Sequence, residues 1–403
     1  MIVGIYITIT LIFALLVFVR LIGTAAMGNA LLRQRKLRRF VDIDRILAAR
    51  ADTPVSILLP LDRFSEKIGE NIDRLLKLNA RKYELIILFA GSGAELDALV
   101  GRYNLTKRFH VVKRELGAPK EKEVYFSAEE SRLALVLFEE GTKTDALLNA
   151  GVNISTYPNI LVVRGSYLLA TNGLLALFRP INILQGECEA VSAPVYLSVE
   201  AKAPLYADVW RLFIRALFPN VVLPQTVYLF NKRAAIEEGG FFAEPIWESE
   251  SSLARKLKSR RTERQGNLND IVAVYNGEKN ISLFETAGVK LSTFWEIALR
   301  KRISYSRGYT QLVAFSMLAR GVICPLLPIG LLYGLFSPYL FDAVKPLAVL
   351  IMSDMLLELA AFSMTAMLNQ TARERILQTL FAGAVAFLLS FVEIFLLFRE
   401  RKR

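Results

Sequence analysis

The sequence offers few residues for metal or nucleophilic chemistry. Its one histidine, His110, excludes a multi-histidine metal site and a histidine-based relay. Two cysteines, Cys188 and Cys324, cannot build a disulfide framework. No Asp or Glu occurs from Gly151 to Gly186, so this stretch has no carboxylate that could hold a divalent cation. Any chemistry must therefore depend on carboxylates elsewhere and on basic side chains.

Basic side chains occur both singly and in a cluster. Lys143 comes just before a predicted helix at Thr144–Ala150, where it could approach a phosphate or a backbone carbonyl. The cluster consists of Arg255, Lys256, Lys258, Arg260, Arg261 and Arg264. Nucleic acid could explain such a cluster. Because the chain also has several apolar segments, an anionic membrane surface is the simpler partner, and we expect no nucleic acid.

Short apolar runs alternate with helical patterns in the middle of the chain. The runs Val55–Pro60, Leu85–Ala90 and Ile160–Val163 predict buried strands. Glu70–Leu78 has mainly helical spacing of its apolar residues. This alternation predicts an α/β fold with a parallel-centred sheet covered by helices on both faces. We place this domain at about residues 51–307.

The N-terminal segment predicts a transmembrane anchor at residues 1–32. Hydrophobic residues make up 53% of the chain, an excess over a typical soluble protein. Met1–Val19 and Leu21–Leu32 carry no charge, and about 20 apolar residues span a bilayer. A cleaved signal peptide is the alternative, but the basic start of such a peptide is missing. Residues 33–50 form a basic linker with no acid from Arg33 to Arg39, which places the following domain in the cytoplasm.

Residues 308–403 predict an interfacial helix and two to three transmembrane helices. The apolar runs are Gly321–Phe341, Leu347–Leu368 and Ile376–Phe398. Three crossings would leave the basic C-terminus outside, against the positive-inside rule, so one run could lie in the interface instead. Asp354 and Glu358 lie one turn apart in the second run, where we expect them to pair with Arg320 or with a partner helix. The sequence therefore predicts a multi-pass protein, and we assign it to a bacterial inner membrane.

The order of these pieces resembles the membrane-bound family-2 glycosyltransferases, which have a GT-A fold. The family begins with a strand ending in proline and has a second strand after Tyr-Glu; here these are Val55–Pro60 and Tyr83–Ile87. Its Gly-Lys-x-x-Ala-Leu-Asn-Ala-Gly helix resembles Gly141–Gly151, which is one residue longer or shifted. Its Phe-x-Arg-x-Ala motif with a later Gly-Gly-Phe resembles Phe230–Phe241. The resemblance covers nearly the whole chain and implies a nucleotide-sugar ligand.

The metal-binding carboxylates of that family have no counterpart here. The family's Asp-Asp after the second strand is replaced by Phe89-Ala90, and its Asp-x-Asp after the third strand is replaced by Arg164-Gly165-Ser166. Such carboxylates hold the divalent cation that stabilises the leaving diphosphate. We therefore predict no divalent metal and no other cofactor, and we expect Arg164 and Ser166 to line the substrate site. A cation fixed in the protein, Arg164, could replace the metal.

The catalytic base of the family is altered in a milder way. Glu250 stands where the resemblance implies the aspartate that accepts the acceptor hydroxyl's proton, one methylene longer. The alternative interpretation is a helix start. Ser249 and Ser252, with Glu250 in the first turn, satisfy capping and dipole preferences.

The family's Gln-x-x-Arg-Trp motif resembles Lys301–Tyr305. Tyr305 could stack on the acceptor in place of the indole, and Lys301 or Arg302 could meet phosphate. The same residues could instead form a basic juxtamembrane helix held against anionic lipid.

Two functions remain open on this basis. The one we favour is a catalytically impaired or silent glycosyltransferase-like subunit that scaffolds or regulates another membrane enzyme of lipid or polysaccharide synthesis. The other is an active transferase, metal-independent, that moves sugar from a nucleotide sugar to a lipid or polysaccharide. A transporter would need more spans than the sequence contains.

The orientation of the chain can be tested directly. We expect trypsin to cut the linker at Arg33–Arg39 in sealed inside-out vesicles, because the basic flank faces the cytoplasm. Cleavage sites mapped by mass spectrometry report this. Protection of the linker until detergent is added would reverse the assigned orientation.

Overall fold

The computed structural model describes ten parts of the chain: residues 2–40, 53–109, 114–183, 188–197, 205–217, 225–243, 248–260, 265–268, 272–277 and 341–368. Contacts between residues divide the chain into two compact units. The first comprises residues 1–33, 197–221 and 281–403, and the second comprises residues 34–196 and 222–280. All the strands described below lie in the second unit.

Within these ranges the chain forms nine helices and eleven strands. The helices are α1 (Ile2–Phe40), α2 (Glu66–Leu75), α3 (Gly93–Arg102), α4 (Thr144–Ile154), α5 (Gly173–Ile183), α6 (Leu205–Leu217), α7 (Lys232–Glu237), α8 (Ser249–Arg260) and α9 (Phe341–Leu368). The strands are β1 (Val55–Leu61), β2 (Tyr83–Phe89), β3 (Leu105–Lys107), β4 (Glu123–Ser127), β5 (Leu133–Leu137), β6 (Asn159–Val162), β7 (Tyr167–Leu169), β8 (Ala190–Tyr196), β9 (Thr226–Asn231), β10 (Gln265–Asn267) and β11 (Ala273–Tyr275).

The strands form one mixed sheet in the order β3-β4-β5-β2-β1-β6-β9-β8-β11-β7, with β10 paired to β8. The four strands β5, β2, β1 and β6 run parallel. Strand β4 pairs antiparallel with β5, and β9 pairs antiparallel with both β6 and β8. From β1 the chain first builds outward to β2 and β5, and then crosses to the other side of β1 with β6. Connections that diverge in this way leave a crevice beyond the carboxyl ends of the two strands.

Strand β1 is buried on both faces of the sheet. Ile57 and Leu59 belong to one apolar cluster, whereas Leu58 belongs to a second cluster on the opposite face. Strand β2 repeats the pattern, with Ile87 in the first cluster and Ile86 in the second. This two-sided burial is why both strands are nearly continuous apolar runs in the sequence.

Helix α4 carries the Asn-Ala-Gly end of the sequence motif and is fixed to the sheet by it. A Cβ added to Gly151 would lie 2.9 Å from a methyl of Leu58 and 2.8 Å from a methyl of Leu88. The buried amide of Asn149 donates to the carbonyl oxygen of Phe241 over 2.9 Å and accepts from its N–H over 2.7 Å. The motif therefore packs α4 closely against β1 and β2, and it fixes the turn at Phe241.

The structure confirms three of the predicted strands and the parallel centre of the sheet, and it corrects the start of one helix. The runs at 55–60, 85–90 and 160–163 correspond to β1, β2 and β6. The helix expected at Glu70–Leu78 begins earlier, at Glu66, because the side chain of Ser65 accepts a hydrogen bond from the Ile68 N–H and caps it. The sheet is parallel at its centre, as predicted, and antiparallel pairings of β4 with β5 and of β9 with β6 flank that centre.

Two helical stretches of the first unit are long and apolar enough to cross a membrane. They are Ile7–Arg33 in α1 and Lys345–Met367 in α9, and most of each is not buried by other parts of the chain. Length and composition alone support this, and a signal sequence passes the same criterion. Of the other predicted C-terminal runs, Ile376–Phe398 and residues 321–340 lie outside the described residues, as does His110.

An ion-paired cluster joins these two helices. Arg20 of α1 pairs with Glu358 of α9 and lies 3.7 Å from Asp354. The three side chains are at most 14% exposed. The helix that was expected to pair with Asp354 and Glu358 is thus the N-terminal one, while Arg320 lies outside the described residues.

The Gly-Gly pair before Phe241 gives a matched test of the turn. Gly239 and Gly240 both have positive φ, at +83° and +82°. A Cβ at Gly239 would meet no atom within 4 Å, whereas one at Gly240 would lie 2.2 Å from Oδ1 of Asn149. We expect Gly239→Ala to lower the free energy of unfolding by about 1 kcal/mol from backbone strain. Gly240→Ala should lower it by about 3 kcal/mol, because the buried amide bonds to Phe241 are lost as well.

Urea unfolding of the purified protein measures both values. Equal losses for the two variants would show that Asn149 does not hold this turn.

Candidate functional site

A cleft of about 240 Å³ opens at the carboxyl ends of β1 and β6. Strand β1 contributes Pro60 and Leu61, and the turn after β6 contributes Arg164, Gly165 and Ser166. The cleft therefore lies at the point where the strand connections diverge, which is where open α/β sheets bind ligands.

The turn after β6 is held in place by two asparagines from other segments. The Asn71 side chain on α2 donates to the carbonyl oxygen of Gly165 over 2.7 Å. Asn276, just after β11, donates from its side chain to Asn71 over 2.8 Å and from its backbone to Ser166 over 2.8 Å. A Cβ at Gly165 would lie 2.7 Å from a methyl of Leu61, so the turn also packs tightly on β1. Arg164 is thus presented from a fixed backbone.

Arg164 forms an ion pair with the first turn of α8. Its Nε donates to Oε1 of Glu250 over 2.7 Å, and its Nη1 lies 3.6 Å from Oε1 of Glu248. Burial acts to lower the pKa of Arg164, but attraction from Glu250 and then Glu248 outweighs burial and raises it above its usual value. Arg164 therefore stays charged while one third of its side chain remains exposed.

Glu250 is withdrawn from the cleft. Its side chain is 2% exposed, and it is not among the residues that line the cleft. One carboxylate oxygen accepts from Arg164, and the other, Oε2, has no hydrogen-bond partner among the described residues. Helix α8 begins at Ser249, so Glu250 also lies in its first turn, where a negative charge favours the helix dipole.

Two further cations line the cleft beside Arg164. Arg63 is exposed just after β1. Lys67 on α2 donates from Nζ to the carbonyl oxygen of Gly277 over 2.8 Å. Burial acts to raise the pKa of Glu95, but hydrogen bonds from Ser92 and Phe64 and the charge of Arg63 lower it overall. The cleft thus presents several hydrogen-bond donors with positive charge.

The structure brings together only part of the residue set that the sequence predicts. Arg164 and Ser166 line the cleft. Lys143 is exposed at the N-cap of α4, where its neighbours Thr142 and Thr144 line the cleft and Lys143 does not. Phe89 and Ala90 are fully buried in the two apolar clusters. Lys301, Arg302 and Tyr305 lie outside the described residues.

Sequence reasoning missed Arg63, Lys67, Asn71 and Asn276. The first three lie in the segment after β1, whose carboxyl end was itself predictable, so a scan of that segment for polar residues would have found them. Asn276 is brought to the site from a position more than two hundred residues away from Asn71 in the chain. Nothing local in the sequence marks it.

The donors at this cleft do not fit a divalent cation. Its lining includes one carboxylate, Asp62, beside three cations. Elsewhere in the described ranges, no three His, Cys, Asp or Glu side chains come close enough together to hold a metal ion. Cations such as Mg²⁺ and Mn²⁺ prefer several oxygen ligands with negative charge.

No family model and no curated protein match the sequence. Several solved structures are similar to the chain. One is a mannosyltransferase from Pyrobaculum calidifontis in complex with GDP-Man and Mn²⁺, with 14% identity, a TM-score of 0.49, and coverage of 89% of this chain and 99% of that one. Another is residues 1–349 of TarS from S. aureus, with 11% identity, a TM-score of 0.40, and coverage of 81% of this chain and 92% of that fragment.

A third is glucosyl-3-phosphoglycerate synthase from Mycobacterium tuberculosis in complex with Mn²⁺, UDP and glucosyl-3-phosphoglycerate, with 15% identity, a TM-score of 0.41, and coverage of 66% and 85%. Because these TM-scores are below 0.5 and the identities are low, the likenesses establish neither a family nor an activity.

The coupling between Arg164 and Glu250 can be measured with a double-mutant cycle. We expect Arg164→Met to lower the free energy of unfolding by about 3 kcal/mol, because it leaves a buried carboxylate without its cation. Glu250→Gln should lower it by about 1–2 kcal/mol. The double variant should cost less than the sum of the two, because the unpaired charge is gone.

Denaturant unfolding of the four proteins provides the cycle. Strict additivity would mean that the two side chains do not interact in solution.

Proposed function

We propose that the chain is a membrane-embedded, family-2 glycosyltransferase-like protein of lipid or polysaccharide glycosylation whose catalytic centre is silent. In this proposal it binds a nucleotide sugar in the cleft and acts as a scaffold or regulatory subunit for another membrane glycosyltransferase or synthesis subunit. The observation that carries the proposal is the burial of Glu250 behind Arg164, at an otherwise open cleft.

The placement of the motifs supports the glycosyltransferase-like interpretation. The segments that resemble the family's substrate-binding positions, those around Pro60 and Arg164, meet at one cleft although they are far apart in the sequence. The helix with the Asn-Ala-Gly motif starts at the same cleft through Thr142 and Thr144. This convergence is what a shared ligand site requires.

The position of Glu250, the base that the resemblance implies, supports a silent state. A general base must reach the proton that it removes, either directly or through one water. Glu250 is 2% exposed, and its Oε1 is committed to a guanidinium over 2.7 Å. Arg164 stands where the family would supply a carboxylate, so the same substitution removes a metal ligand and neutralises the base.

One observation favours the alternative, an active metal-independent transferase. The cleft is open, and neither Phe89 nor Ala90 lines it. A ligand could therefore enter and draw Arg164 toward itself, which would free Glu250 to act as a base. The two proposals differ in whether Glu250 acts as a general base.

The membrane part of the proposal rests on the apolar helices and basic flanks. We propose a multi-pass protein of a bacterial inner membrane with its main domain in the cytoplasm. Two stretches have the length and composition of spans, and Arg20 pairs with α9 where an isolated charge in lipid would be costly. The basic residues of α8 and of the linker are expected to face anionic lipid.

Replacing Glu250 tests silence against activity. We expect Glu250→Gln to leave the output of the lipid or polysaccharide pathway unchanged in cells that lose this output when the gene is deleted. The physical reason is that Glu250 is 2% exposed and accepts from Arg164, a contact that the amide oxygen of glutamine can keep. Removing a working base would instead lower the rate on the order of 10²–10⁴-fold.

The measurement is product formation at matched protein level in the membrane fraction. Glu237→Gln is the control, since this carboxylate lies on the surface in a pair with Arg233. A folded, membrane-located Glu250→Gln protein that reproduces the deletion phenotype would refute the silent-subunit proposal.

A further inference from the structure

We infer that the cleft binds a diphosphate group through cations fixed in the protein, Arg164, Lys67 and Arg63, without a divalent metal ion. The inference deepens the proposed function, on which it rests for the ligand class. Its chemistry concerns the anionic group alone, so it can be tested separately from nucleotide and sugar recognition.

The charges that line the cleft favour an anion over a metal ion. Three cationic side chains and one carboxylate, Asp62, face it. A bound divalent cation would need further negative oxygen ligands, which the lining does not supply. A diphosphate, in contrast, carries the negative charge itself and is met by Arg and Lys in proteins.

Arg164 is held in a position suited to this task. Its Nε is bonded to Glu250 over 2.7 Å, and its Nη1 lies 3.6 Å from Glu248. Its Nη2 has no hydrogen-bond partner among the described residues, and the side chain lines the cleft. The buried carboxylate fixes the plane of the guanidinium, so little side-chain freedom is lost when phosphate oxygens bind.

Lys67 and the start of α4 add donors on other sides of the cleft. An ammonium group has three donors, and Lys67 uses one on the Gly277 carbonyl. The N-terminal end of helix α4 lies at the cleft, which Thr142 and Thr144 line. The N-terminus of a helix of this length, 11 residues, favours negative charge. Glu250 and Glu248 offset part of the charge of Arg164, so directed hydrogen bonds from several fixed donors carry the binding.

Calorimetry on the full-length protein in detergent tests the inference, with inorganic pyrophosphate as the first probe. We expect pyrophosphate to bind in the presence of EDTA, and we expect Mn²⁺ in place of EDTA not to tighten the binding, because the complex of Mn²⁺ with pyrophosphate carries less negative charge. UDP-sugars and GDP-sugars are titrated under the same two conditions.

Variants identify the site. Lys67→Met and Arg63→Gln should each weaken pyrophosphate binding about tenfold, through loss of a charged hydrogen bond. Arg164→Lys keeps the charge but loses the planar guanidinium with its several N–H donors, so it should weaken pyrophosphate binding by a similar factor. Arg233→Gln is the matched control, because Arg233 is 88% exposed on α7 and does not line the cleft. It should bind like the wild type.

The outcomes separate this inference from the proposed function. Metal-free binding of pyrophosphate but of no nucleotide sugar would support the inference and overturn the proposed ligand. Nucleotide-sugar binding that requires Mn²⁺ would support the ligand and overturn the inference. No binding of pyrophosphate under either condition, or equal loss in the Arg233→Gln control, would also overturn it.

Discussion

The position of β1 between β2 and β6 is the constraint on which the second unit depends. Backbone hydrogen bonds to both neighbours place β1 at the centre of the parallel strands, and side chains on both of its faces are buried. No helix can cover the carboxyl end of β1, because the connections leave it in opposite directions. The cleft occupies that gap, and its lining comes mainly from the end of β1, the turn after β6, and parts of α2 and α4.

The ion pair between Arg164 and Glu250 then determines which charged groups the cleft exposes. Arg164 faces the opening, and Glu250 lies behind it with almost no exposure. Removing Arg164 would leave Glu250 buried without a cation, whereas removing Glu250 would leave Arg164 partly exposed and still near Glu248. A carboxylate at position 164 would repel Glu250 and would change both the electrostatics of the cleft and the packing of α8. Arg164 therefore contributes both to the positive charge of the cleft and to the inaccessibility of Glu250.

Much of the fold was predictable because burial on both faces of a strand leaves a continuous apolar run. The runs near 55–60, 85–90 and 160–163 carry this signal. The start of α2 was missed because it depends on the Ser65 side chain, whose capping signal is weaker than the apolar spacing that follows. The antiparallel strands beside the parallel centre were not predicted, because strand direction is set by tertiary pairing and leaves no local pattern.

The candidate site was less predictable than the fold. Arg164 could be singled out because it stands after a strand, where the resemblance implies an acid. Its contact with Glu250 joins residues 86 positions apart, and the Asn71–Asn276 bond joins residues 205 positions apart. Such contacts arise only when the sheet is assembled. Sequence alone could therefore name both members of the ion pair without showing that one sequesters the other.

The pairing of Arg20 with Asp354 and Glu358 has a consequence for the order of events during synthesis. Roughly 330 residues separate Arg20 from Asp354 and Glu358. A ribosome needs about 20–70 s to add that many residues at usual elongation rates. During that interval the arginine has emerged and its carboxylates have not. If α1 spans a bilayer, as proposed, its arginine lacks these counter-ions during that interval, which is costly in lipid. The ion cluster would then stabilise α1 only after α9 has been synthesised.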